Sequence, residues 1–239
     1  MKPLQKVHII YLFPREMNTY GDRGNVLCLQ KRLEWRGIKV EVIEFHPGDR
    51  VPKHSDLIFM GGGQDSGQRI VEQSMLQLAG WLKDQVEADT PALMICGAYQ
   101  LLGRYFETHE GNHIQGVDIF DAHTVAGDKR LIGNVRVQTE QFGELIGFEN
   151  HSGKTYLGPT AQALGRTRRG SGNNGSDRTE GIVHRNFVGT YLHGPILPKN
   201  PQLADWLISR AANMSHTELA QFEDSFVVQA RAIAARRPR

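Results

Sequence analysis

The chain has 239 residues, 39% of them hydrophobic and 23% charged, enough to bury a sizeable core, and one domain spanning residues 1–239 is expected. Its 28 basic and 26 acidic residues leave a formal net charge of +2, too even a balance for a surface built around polyanions, so nucleic acid is not an expected partner. The two cysteines, Cys28 and Cys96, sit in dissimilar settings, which argues against a secreted disulfide framework and for a cytoplasmic location.

The first apolar run, Val7 to Phe13, lacks the length of a signal peptide or membrane span, so membrane contact is expected to be peripheral at most. It reads as a strand, as do Lys39 to Phe45, Asp56 to Met60 and Ala92 to Ile95. Between them, Asn25 to Arg36 carries Val26, Leu29, Leu33 and Trp35 near one face and stops at Gly37, a C-terminal cap residue; Ser66 to Val86 is a second helix. Strands alternating with helices in this way define an α/β fold with a mostly parallel central sheet flanked by helices. The second half adds strands: Leu131 to Thr139, Glu144 to Glu149, Thr179 to His184 and Phe187 to Leu192. Gly165 to Asp177, rich in Gly, Asn, Ser and Arg, reads as a long exposed loop. Pro195, Pro198 and Pro201 interrupt regular structure, after which Gln202 to Ala212 and Thr217 to Ala235 read as helices.

The run Pro91 to Gly103 passes from a buried strand through small residues into a helix and sets Cys96 on the turn between them. A thiol there projects from the carboxyl edge of the sheet, and the unpaired N–H groups of the following helix favour its anionic form. Gly97 suits the tight turn. A lone intracellular cysteine is more often a small core residue, which is how Cys28 reads in Val26-Leu27-Cys28-Leu29.

Cysteine chemistry also needs a proton shuttle. Gly189 to Pro195 delivers His193 at the end of an apolar strand, where α/β sheets place their ligand clefts. Gly61-Gly62-Gly63 follows another strand, so that the Gly62 and Gly63 amides could join that of Gly97 around an oxyanion; otherwise the three glycines are a flexible turn. Gly194, Pro195 and Ile196 follow His193, and none can orient it as the acid of a triad would. The site is then a Cys–His dyad, or its acid comes from elsewhere in the chain or from a partner.

With these residues assembled, the chain resembles the cobyric-acid-synthase-like branch of class I glutamine amidotransferases, a flavodoxin-like fold. Ile95 to Gly103 is similar to that branch's nucleophile segment, with Ala98 replacing the usual glycine. Gly147-Phe148-Glu149-Asn150-His151 resembles its Gly-His-Glu-x-His motif, with Phe148 replacing the first histidine. Within the branch, Met17 to Asn25, Gly172 to Gly175 and Thr190 to Pro201 are similar to the GatD-type glutaminase subunits of lipid II isoglutaminyl synthase. The resemblance implies that Cys96 attacks L-glutamine, that backbone amides hold the oxyanion and that His193 protonates the departing ammonia. It makes Arg130 the favoured anchor for the substrate carboxylate, with Asn150 and His151 as further site residues. It also implies a heterodimer with a Mur-ligase-like subunit, MurT, which uses the ammonia to amidate the D-glutamate α-carboxylate of lipid II. ATP and Mg belong to that partner, and no cofactor is expected in this chain. A glutaminase serving another carboxylate, such as a corrin precursor, and a degenerate scaffold subunit are the alternatives.

Gly170 to Gly175 satisfies G-x-G-x-x-G, but no buried strand precedes it and no apolar helix follows, so a dinucleotide site is set aside. No HExxH or CxxC spacing occurs, and no metal is expected.

Overall fold

The computed structural model describes residues 6–215, 217–220, 222 and 224–238. Among these residues, twelve strands and five α-helices follow in chain order: β1 (Lys6–Leu12), α1 (Arg23–Glu34), β2 (Lys39–Phe45), β3 (Leu57–Met60), α2 (Asp65–Glu87), β4 (Ala92–Ile95), α3 (Gly97–Leu102), β5 (Tyr105–Glu107), β6 (His113–Gln115), β7 (Ala122–Gln138), β8 (Glu144–Leu157), β9 (Gly165–Arg169), β10 (Thr179–Glu180), β11 (Ile182–His184), β12 (Phe187–Thr190), α4 (Pro201–Ala211) and α5 (Ser225–Arg236).

The first sheet runs β11-β12-β4-β3-β1-β2, with every pair parallel except β11 on β12. The expected α/β class with a mostly parallel sheet is therefore the fold. Strands β3, β4 and β12 are buried along their whole length because helices cover both faces, which is why they read as unbroken apolar runs. Helix α2 turns Val71, Met75, Leu78, Leu82 and Val86 inward at the spacing of one helical face. Helix α1 ends as expected: Gly37 takes φ +71° and the Ile38 amide closes on the Leu33 carbonyl. Cys28 packs against the core, and burial pushes its thiol up to about 11, which keeps it an inert neutral group. Among the described residues no helix is long and apolar enough to cross a membrane.

The second sheet runs β10-β9-β7-β5-β6, and β8 pairs antiparallel with β7 as a further strand of it. Strand β7 starts at Ala122, well before the expected Leu131, and β8 continues to Leu157; their antiparallel register breaks between Ala126 and Leu131. Gly165 to Arg169, expected in a loop, pairs with β7 as β9. The remainder of that stretch is a brace: buried Asn173 donates from Nδ2 to Thr179 Oγ1 and the Gly181 carbonyl, and Asn174 to the Thr155 carbonyl. The expected strand Thr179 to His184 is split at Gly181, whose φ of +62° turns the chain from one sheet into the other. The expected helix Thr217 to Ala235 is seen from Ser225; it included residues 221 and 223, which lie outside the described residues.

Candidate active site

Because β1, β3, β4 and β12 are parallel, the segments leaving their carboxyl ends meet at one edge: the β1–α1 loop, Gly61 to Gly63, Cys96, and the residues up to His193. This is the crevice where the chain order of the sheet reverses, on either side of β1.

Cys96 forms the hinge between β4 and α3 with φ 52° and ψ −104°. The strain expected at Gly97 falls on the cysteine itself, a conformation costing of order 1–3 kcal/mol for a residue with a Cβ. Two backbone bonds hold it: its N–H donates to the Thr190 carbonyl at 2.8 Å, and its carbonyl accepts from Gln100 at 3.0 Å. Gly97 has no room for a side chain, since an added Cβ would stand 3.0 Å from both the nitrogen and the oxygen of Gly63.

His193 lies past the end of β12 in an isolated bridge, exchanging backbone bonds with Phe148 of β8, so both sheets fix it. Its ring is fully buried and edge-on to Tyr20 at 5.0 Å. Nδ1 is 3.3 Å from Asp22 Oδ1, and the ring also interacts with the sulfur of Cys96. Burial disfavours the charged ring, but the sulfur of Cys96 and the Asp22 carboxylate outweigh it and push His193 up to about 10.

Asp22 is the residue the sequence reading missed. Fully buried, it immediately precedes α1, and its side chain turns away from the helix so that Oδ2 accepts the Gly62 N–H at 2.7 Å. The expected oxyanion amide of Gly62 is therefore committed to Asp22, leaving those of Gly63 and Gly97. Gly62 is still required: an added Cβ would lie 2.9 Å from His193 Cε1, 3.2 Å from Cys96 Cβ and 3.3 Å from Asp22 Oδ2. Nothing near His193 in sequence signals Asp22, which is 171 positions away. The cues available are its place in the loop that follows the first strand, beside the crevice, and its position within Met17 to Asn25, the segment similar to GatD-type subunits.

Cys96 opens into a cavity of about 580 Å³, shared with Tyr20, Gly63, Arg130, Asn150 and His151. Arg130 comes from the β7 segment where the register breaks, and Nε donates to Asn150 Oδ1 at 2.6 Å, which steers the guanidinium. His151 is buried and stacked on Tyr191 with ring centroids 3.6 Å apart; burial lowers it to about 3, so it is neutral. Its Nδ1 donates to the Gly153 carbonyl at 2.7 Å, which leaves Nε2 as an acceptor. Under the cavity, Gln68 donates to Gln100, and Gln100 to the Tyr191 hydroxyl, which is 2.6 Å from Thr155 Oγ1; the sequence reading gave none of these a role. Below them, Glu180 accepts from Thr190 Oγ1 and the Tyr191 amide, and burial raises its carboxyl to about 7.

A cysteine on a strained strand-to-helix hinge, facing a buried histidine at this edge of such a sheet, defines a class I glutamine amidotransferase module. Comparison with known proteins narrows the class. Residues 8–201 match the CobB/CobQ-like glutamine amidotransferase domain, and the chain belongs to that family as a glutamine amidotransferase. It is 37% identical over 209 residues to the GatD subunit of the glutamine-hydrolysing lipid II isoglutaminyl synthase of Staphylococcus aureus, covering 87% of this chain and 85% of that one. The corresponding GatD subunit of Streptococcus pneumoniae is 35% identical over 92% of this chain and 86% of its own. The cobyric acid synthase of Brucella abortus is 29% identical over 65% of this chain but only 32% of its own length. Among solved structures, PurLQS from Thermotoga maritima shares the fold, with a TM-score of 0.59 at 15% identity over 89% of this chain and 98% of that one.

Proposed function

We propose that this chain is the glutaminase subunit of a lipid II isoglutaminyl synthase, working through Cys96, His193 and Asp22. Cys96 Sγ attacks the side-chain carbonyl carbon of L-glutamine, and the Gly63 and Gly97 amides stabilise the oxyanion. The His193 imidazolium gives its Nε2 proton to the departing nitrogen, so ammonia leaves and a γ-glutamyl thioester remains. His193, now neutral, takes a proton from water, whose attack on the thioester carbon releases glutamate from the Cys96 sulfur and returns the site to its starting state. Asp22 keeps the proton on Nδ1 and so directs Nε2 at the reacting atoms. Arg130, steered by Asn150, grips the substrate α-carboxylate, and His151 Nε2 accepts from its α-ammonium.

The observation that carries this reading is the buried His193–Asp22 pair beside Cys96, whose thiol lines the same cavity as Arg130. The buried Asp22 beside His193 supports an active glutaminase over a degenerate scaffold. The near full-length likeness to two GatD subunits favours lipid II over a corrin precursor as the destination of the ammonia. In this setting the chain acts as one domain in the cytoplasm, bound to a Mur-ligase-like MurT subunit that supplies ATP and Mg and amidates the D-glutamate α-carboxylate. The test is glutamate release from glutamine, with and without the co-expressed ligase subunit, followed by amidation of lipid II by the pair. Cys96-dependent release coupled to amidation is expected. Release without amidation would redirect the search to another carboxylate, and no release in either setting would restore the scaffold reading.

A further inference from the structure

The opposite, amino-terminal edge of the first sheet gathers a second set of reactive side chains that the glutaminase does not use. His8 stands near the start of β1, Asp56 just before β3, and His54 in the loop leading to Asp56. One donor atom from each lies within 4.8 Å of the others. Asp56 holds one imidazole at each oxygen: His8 Nδ1 is 2.9 Å from Oδ2, and His54 Nε2 is 2.9 Å from Oδ1. From these positions we propose a binding site for a borderline first-row divalent cation, of the zinc or cobalt class, held by His8 Nδ1, His54 Nε2 and Asp56.

The donor set fits that class. Two imidazoles and one carboxylate suit borderline ions better than magnesium or calcium, which take oxygen ligands. Metal–ligand bonds of about 2.1 Å set neighbouring donors about 3.0–3.4 Å apart, so each imidazole nitrogen, 2.9 Å from its carboxylate oxygen, needs to open by only a few tenths of an ångström, and the two imidazole nitrogens, already within 4.8 Å of each other, close on the ion. The site is also braced from behind. The His8 backbone N–H donates to Asp56 Oδ2 at 2.7 Å and fixes the carboxylate plane. On β2, Glu41 stands in register with His8 and brings a carboxylate oxygen to 3.6 Å from His8 Nε2. A carboxylate behind the distal nitrogen is how ligating histidines are oriented and made more basic. A cavity of about 460 Å³, bordered by His8, His54 and Asp49, leaves room for water to complete the coordination shell. No metal was expected from motif spacing, because the topology of the sheet joins residues 46 and 48 positions from His8.

The test is calorimetric titration of Co²⁺ and of Zn²⁺ into the tag-free chain carrying Cys96→Ser, which removes the active-site thiol as a competing ligand. One equivalent of cation is expected, with affinity falling about tenfold or more in His54→Ala. That side chain is 63% exposed, so the substitution does not endanger folding. Asp56→Asn is expected to abolish binding, and His54→Ala to leave glutaminase activity unchanged in a wild-type background. Absence of binding at millimolar cation, or equal affinity and stoichiometry in His54→Ala, would overturn the site.

Discussion

Replacing Asp22 by Asn tests the positioning of His193. Asp22 accepts the Gly62 N–H through Oδ2 at 2.7 Å and faces His193 Nδ1 through Oδ1 at 3.3 Å. An asparagine can keep the Gly62 bond only with its own oxygen, which turns its NH₂ group towards Nδ1. The neutral ring then carries its proton on Nε2, the nitrogen that must receive a proton from water. The lost charge also weakens the imidazolium: an adjacent carboxylate is worth about 1–3 pKa units, or about 1.4–4 kcal/mol. Since His193 is raised from 6.5 to about 10, its contribution to stability is complete below pH 6.5 and lost as pH rises through 10. In Asp22→Asn the alkaline limb of glutaminase activity therefore moves down by about 1–3 units, and kcat falls by about 10²- to 10⁴-fold. Glutamate release measured from pH 6 to about 11, with melting curves to confirm folding, reads both effects. An unchanged alkaline limb with kcat within about twofold of wild type would refute the orienting role of Asp22.

Gly62→Ala is expected to cost about 1–3 kcal/mol of stability and to lower kcat more than it raises KM, because its Cβ would press on His193, Cys96 and Asp22 together. Thermal melts and glutamate release check the two parts. Arg130→Ala removes a charged hydrogen-bonding group worth about 1.5–3 kcal/mol, so kcat/KM for glutamine falls about 10- to 150-fold, mostly through KM, and Lys restores it only in part. Glu180, raised by burial from 4.5 to about 7, keeps its proton in the folded chain after the unfolded chain has lost it. Its contribution is complete below pH 4.5 and declines as pH rises to 7, by about 3 kcal/mol in all. Glu180→Gln, which mimics the protonated form, should flatten that part of the stability–pH curve in urea titrations, whereas Glu180→Ala should destabilise at every pH.

The parallel half of the fold was legible because strands covered on both faces, such as Leu57–Met60 and Ala92–Ile95, leave unbroken apolar runs, and α2 repeats its buried residues at helical spacing. The second half was less so. Strand β9 spells Gly-Arg-Thr-Arg-Arg, a loop by composition, and becomes a strand only through pairing with β7. The early part of β7 was missed because it is partly exposed and broken by a register shift that brings Arg130 to the cavity. Cys96 could be picked out because it directly follows the apolar strand β4, and His193 because it ends the apolar run that β12 begins. Asp22 could not, since its role depends on two loops meeting at the sheet edge. Gly62 looked like an oxyanion donor until Asp22 was found to take its amide.

The most direct test of the central claim is acid-quenched turnover of glutamine by the wild-type chain, with the γ-glutamyl adduct mapped by mass spectrometry. The adduct is expected on the peptide containing Cys96 and absent from that containing Cys28, with both adduct and turnover lost in Cys96→Ser. Undiminished turnover in Cys96→Ser, or an adduct on Cys28, would contradict it.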